Sequence, residues 1–171
     1  MGLKGVKHMT GHRGAPRGAG NRGRGSVSVE MAIIAPILIT LLFGTVEMGM
    51  IMKDVLSLNS AAREGARSAS IGDTNTDIDN RIDAAAPGIN TTNLTITLQY
   101  RTYSSGTWSS WATLTTTSGA TSNSAPSGSQ IQVQLSYPHP LIMGKLFTSL
   151  LATNQTNNTM TLNATMIMMR E

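Results

Sequence analysis

The chain has no cysteine, so it holds no disulfide, no thiol nucleophile and no cysteine-ligated metal. Aromatic residues make up only 4% of its 171 residues, too few for a large aromatic core. Charged residues are also sparse, at 13%, and they are unevenly placed. Acids are missing from residues 1–25, which hold six basic residues: Lys4, Lys7, Arg13, Arg17, Arg22 and Arg24. Over the whole chain, 13 basic and 9 acidic residues give a net charge of +4. Without the first 25 residues, seven basic residues face nine acids, a net of −2. The pI near 9.9 therefore describes the N-terminal tail. That tail is Gly/Arg-rich but lacks the interleaved aromatics on which bases stack, so no nucleic-acid partner is expected.

A long apolar run follows the tail. Met31 to Val46 carries no charge, and beyond Glu47 the run continues through Met52. As a helix, residues 31–52 would span about 33 Å, enough to cross a hydrocarbon core of about 30 Å. A basic flank before such a segment keeps the N-terminus cytoplasmic and sends the rest across the membrane. A cleaved secretory signal has a shorter apolar stretch ending in a small-x-small site, and no convincing site directly follows this one. Two acids stand out because a carboxylate in a membrane segment is costly. Glu30 sits at the mouth of the run. Glu47 reads either as the outer boundary of the span or as a polar contact to a partner helix. Pro36 has no N–H, which leaves the Ala32 carbonyl without its helical donor and predicts a kink. Thr40, one turn on, is a candidate substitute donor. Gly44 is small enough to admit another helix closely.

Beyond Met52 the pattern predicts a helix continuing to a stop at Gly72, with Val55, Leu56, Leu58, Ala62 and Ala66 as a mild apolar stripe. Arg63 and Arg67 share a face, with Glu64 off it. A subunit contact and a solvated flank fit these charges equally. A short helix is expected over Asp77–Ala86, stopped by Pro87 and Gly88. The period then changes to two, at residues 94–100, 131–137 and 160–168, with a poorer strand over 108–116 and a turn-rich loop over 118–129. Pro138 and Pro140 are expected to end the third strand, and residues 141–152 to form a short helix. Such strands make an antiparallel sheet that buries one face against the outer half of the long helix, an α+β fold. The expected organisation is a basic tail over 1–25, a long helix over 26–72, transmembrane at about 31–52, and an extracytoplasmic α+β head over 73–171.

Reactive constellations do not emerge. His8 and His12 lie four apart in a Gly/Pro-rich tail unsuited to a helix, so no metal site is expected. His139, between two prolines, reads as a turn residue without an acid partner. Asp73, Asp77, Asp79 and Asp83 lack the central Gly and distal Glu of a calcium loop and read as a solvated helix start. No catalytic residues, cofactor or enzymatic activity are expected.

The segment GSVSVEMAIIAPILITLLFGTVEMG, followed by LNSAAREGARSASIG, resembles the TadE-like proteins of the tight-adherence (Tad/Flp) pilus system, a type IV-related system. The resemblance rests on Glu30, Pro36, Gly44, Glu47, Ala61, Ala62, Arg63, Ala66 and Arg67 over roughly residues 22–72, with the Arg-Glu ending as weaker support. It implies a pilin-like fold, with a long transmembrane helix carrying a small sheet head. It also implies a non-enzymatic minor pilin or pseudopilin needed for pilus assembly. Its implied partners are a prepilin peptidase, other pilin subunits, the assembly platform and the lipid membrane. Its implied location is the inner membrane, single-pass, with the head outside or in the pilus. Cleavage would fall between Gly25 and Ser26, making Glu30 the fifth residue and placing it to neutralise the new amine and set subunit register. Pro36, Gly44, Glu47, Arg63 and Arg67 become candidate helix–helix contacts. The competing reading is a membrane-anchored binding or adhesion module outside any pilus.

Overall fold

The computed structural model describes residues 22–142, 144 and 158–171, with side chains from residue 27 onward. His8, His12 and most of the helix expected over 141–152 lie outside the described residues. The chain divides into two compact units, Met1–Thr40 and Leu41–Glu171. In the first unit every described residue belongs to α1, which runs unbroken over Arg22–Ile71. The helix continues through Pro36, and the Thr40 hydroxyl donates to the Pro36 carbonyl at 2.8 Å. The expected rescue of the Ala32 carbonyl by Thr40 is thus corrected. A hydroxyl at position i reaches the i−4 carbonyl, and for Thr40 that is Pro36.

The second unit is α+β. It contains the rest of α1, then α2 (Asn75–Ala84), a 3-10 turn at Thr91–Asn93, and β1 (Thr95–Arg101). β2 (Tyr103–Ser104), β3 (Thr107–Trp108), β4 (Ala112–Thr113), β5 (Gln130–Pro140) and β6 (Thr159–Met169) follow. The main sheet has the order β4-β1-β5-β6, and all its pairs are antiparallel. β5 is its spine: it pairs with β1 from Thr95↔Ser136 to Arg101↔Gln130, and with β6 from Gln130↔Met169 to Pro140↔Thr159.

Period-two alternation decides which face is buried. Leu98, Ile131, Val133, Leu135, Tyr137, Leu162 and Ala164 point inward, into one core with Leu58, Ala61, Ala62, Ala66 and Ala69 of α1 and Ile78 and Ile82 of α2. The α1 positions recur at three- and four-residue steps, one face of a helix. Leu56 lies off that face and is 65% exposed, correcting its place in the expected stripe. Small residues dominate the buried face because other elements pack close: a Cβ on Gly65 would stand 2.5 Å from Ile82 Cγ1.

α2 starts where its sequence asks for a cap. The Thr74 hydroxyl accepts from the Asp77 N–H at 3.2 Å and donates to Asp77 Oδ2 at 2.7 Å. The acids thus do begin a helix, with Asp77 in the first turn complementing the dipole. Two strand expectations are corrected. β5 continues through Pro138 and Pro140, which pair with Thr161 and Thr159. Both lie beyond Ser136, where β1 has ended and the strand has one neighbour, so a missing N–H breaks no ladder on that side. The stretch over 108–116 gives two short pieces instead of one strand. β3 forms a separate hairpin with β2, and only β4 joins the main sheet.

Candidate functional site

Exposure marks the first candidate region. Along α1 the large apolar side chains from Val27 to Phe43 are all at least 42% exposed. The most apolar window of this helix is wholly unburied. Eleven bulky apolar residues in water would be a severe liability. In lipid, or among other apolar helices, they are at home. Among the described residues this helix is the one long and apolar enough to cross a membrane. Glu30, Pro36 and Gly44 all lie on this exposed stretch, and a Cβ added at Gly44 would meet open space.

Glu47 behaves differently. It is 7% exposed, and its Oε1 accepts the Ile142 N–H at 2.8 Å. Ile142 lies just past the end of β5, so the bond ties the carboxylate on α1 to the segment leaving that strand. This partner lies 95 residues away, out of reach of any local sequence pattern.

Two helical turns on, Asp54 forms a buried pair with His139. Nδ1–H of His139 donates to Asp54 Oδ2 at 2.7 Å, and Lys53 Nζ stands 3.4 Å from Asp54 Oδ1. Both partners are under 10% exposed, while Lys53 is mostly solvated. The reading of His139 as a turn residue without an acid partner is corrected: it is a strand residue facing α1. Its parity on β5, matching Val133, Leu135 and Tyr137, was the available signal, masked by the flanking prolines. The pair has no nucleophile beside it among the described contacts, and its role here is to clamp β5 to α1.

The end of α1 is a third polar cluster. A helix leaves its last carbonyls without intrahelical donors. Here Asn123 Nδ2 donates to the Ala69 carbonyl at 3.0 Å, Arg170 Nη1 and the Glu171 N–H donate to Ser70 O at 3.0 Å, and the Asn123 N–H donates to Gly72 O at 3.0 Å. Gly72 takes a positive φ of 99°, which ends the helix where the sequence predicts. The Arg-Glu ending therefore caps α1 and supplies the cation its last turn lacks. Arg63 and Arg67 are exposed; Arg67 stands 3.9 Å from Glu64, which also lies 3.7 Å from Arg81. Glu64 thus reaches the face it was expected to miss, through an i,i+3 step. Partial burial pushes the Asp79 carboxyl above the usual aspartate range, and the like charge of Asp83 adds to it. Among the described residues no cluster of His, Cys, Asp and Glu could hold a metal ion.

A long helix with an exposed apolar half and a capped α+β unit with an antiparallel sheet are the chain's two main features. Residues 25–67 match the family model for TadE-like proteins, so this segment of the chain is similar to that family. The match covers the exposed apolar stretch and the small-residue face of α1, and it begins at Gly25. No curated protein and no solved structure matches the chain.

Proposed function

We propose that the chain is a minor pilin or pseudopilin that works in the assembly of a Tad/Flp-type pilus and performs no chemistry of its own. The observation that carries this reading is the fully exposed apolar stretch of α1 lying inside the TadE-like match. Such a surface needs apolar company, and a bundle of pilin helices or the assembly platform supplies it as well as lipid does. The basic tail holds the N-terminus in the cytoplasm, and the α+β unit lies outside the inner membrane. A prepilin peptidase removes the leader between Gly25 and Ser26. The new amine of Ser26 is then a cation at low dielectric, which the carboxylate of Glu30 neutralises within the subunit or on a neighbour, fixing register. Pro36 and Gly44 present the helix face that other helices meet, and Arg63 and Arg67 remain accessible for a subunit contact.

Two measurements test this. Intact-mass analysis of membrane-extracted protein should find Ser26 as the first residue; retention of residues 1–25 rejects cleavage. Complementation with Glu30→Ala should restore the protein to the membrane without restoring pili, while normal pili from that variant reject the register role. The alternative, an anchored binding module outside any pilus, predicts membrane localisation with pili indifferent to the gene.

A further inference from the structure

This chain is poor in aromatics, yet both tryptophans and one of its three tyrosines gather at one end of the sheet. Arg101 Cζ lies 4.5 Å from the ring centroid of Trp111 and 5.1 Å from that of Trp108. The Trp108 and Tyr103 rings stand 5.0 Å apart, tilted by 54°. Arg101 Nε donates to Gln130 Oε1 at 2.8 Å, which fixes the guanidinium beside the rings. Tyr103 is 58% exposed and Trp108 36%, so a braced aromatic platform faces solvent.

On the same sheet face the next rows are Arg101–Gln130–Met169 and Gln99–Gln132–Ile167, with Met169 and Ile167 exposed and Gln132 buried, and polar rows lie beyond them. Arg101 has the parity of Thr95 and Thr97, opposite to that of the core residue Leu98. Across the strands, Thr97–Gln134–Thr165 and Thr95–Ser136–Asn163 form two transverse rows of hydroxyls and amides. A groove of about 200 Å³ runs between these rows. No Asp or Glu occurs in any strand, and no acidic side chain pairs with Arg101 among the described residues. The far rows are thus hydrogen-bonding and carry no acid of their own, the nearer rows add exposed Ile167 and Met169, and a cation is held between indoles at the near end.

That combination has a chemical counterpart. Sugar rings offer an apolar C–H face to aromatic rings and hydroxyls to amides and hydroxyls spaced at the strand repeat of about 4.8 Å. A carboxylate on the sugar pairs with the guanidinium. A second copy would bring one arginine face against another, and the hydroxyl and amide rows suit sugar hydroxyls better than stacked bases. We infer that the outer sheet face and the Arg101–Trp108–Trp111 platform bind an acidic polysaccharide, with a uronate carboxylate at Arg101 and its sugar rings on the exposed aromatics. This surface is independent of the pilus role, so loss of either reading leaves the other standing.

The two tryptophans report on the site directly. Full-length protein in detergent micelles, titrated with polygalacturonate, should show a saturable change in intrinsic fluorescence that salt weakens. The neutral polymer amylose should give none. Trp108→Ala, read through Trp111, and Arg101→Gln should each weaken binding about tenfold. Thr97→Glu, which puts an acid on an exposed strand position without touching the platform, should do the same. The inference is overturned by an absent response to polygalacturonate, by an equal response to amylose, or by wild-type affinity in Thr97→Glu together with either platform variant.

Discussion

Asp54 and His139 meet from positions 85 residues apart, and both are buried. Removing one partner leaves the other buried without its counterpart, at a cost of roughly 3–5 kcal/mol. Asp54→Ala should therefore lower the melting temperature of the detergent-extracted protein sharply, and His139→Ala should do so to a similar degree. A double variant should be less than additive, because the second removal takes away a group already orphaned. Melts indistinguishable from wild type would show that the pair does not hold β5 to α1. Asp79 gives a pH-dependent case of opposite character. Its folded-state pKa is raised by burial and by Asp83, so the folded chain holds that proton more tightly than the unfolded chain does. Its contribution to stability falls as pH rises from below the ordinary aspartate range through the folded pKa. Asp79→Asn should raise the melting temperature modestly at pH 7 and leave it unchanged at pH 3. Stabilisation at both values would assign the effect to something other than the charge.

α1 shows how one element serves two environments. Its N-terminal half is bulky, apolar and exposed, while its C-terminal half buries Ala61, Ala62, Ala66 and Ala69. The alanines and Gly65 of the AAREGARSA segment are small because α2 and the sheet sit against them. Gly65→Ala should cost roughly 1–3 kcal/mol through overpacking against Ile82. A proteolysis midpoint unchanged by that substitution would mean the space is looser than the structure has it. Much of this element was legible: the apolar run, the stop at Gly72 and the three long strands follow from period and turn chemistry. What the sequence could not announce were long-range polar partners. Glu47 looked like a boundary or intermolecular charge, and its bond to the Ile142 N–H depends on where β5 ends. His139 was hidden by two prolines that normally end strands and here occupy positions beyond the last β1 pair. The Arg-Glu ending was recognisable as a family trait, but its work as the cap of α1 needed the fold.

At the scale of the whole molecule, charge and apolarity are segregated. The cationic excess lies in residues 1–25, the longest apolar exposure on α1, and acid-free polar rows on the sheet. Each suits a different phase: cytoplasm, membrane or helix bundle, and the outside. The candidate site for assembly was read from the sequence because it is a one-dimensional pattern, residue types at fixed helical spacing. The candidate glycan face was not, because its rows exist only once β1, β5 and β6 are in register and Arg101 is seated between Trp108 and Trp111. The central claim is that this protein is needed to build a pilus. Surface pili sheared from wild-type cells, from cells lacking the gene, and from complemented cells test it most directly. The account predicts pili in the first and third and a loss of at least about tenfold in the second. Equal yields of pili with and without the gene would contradict it.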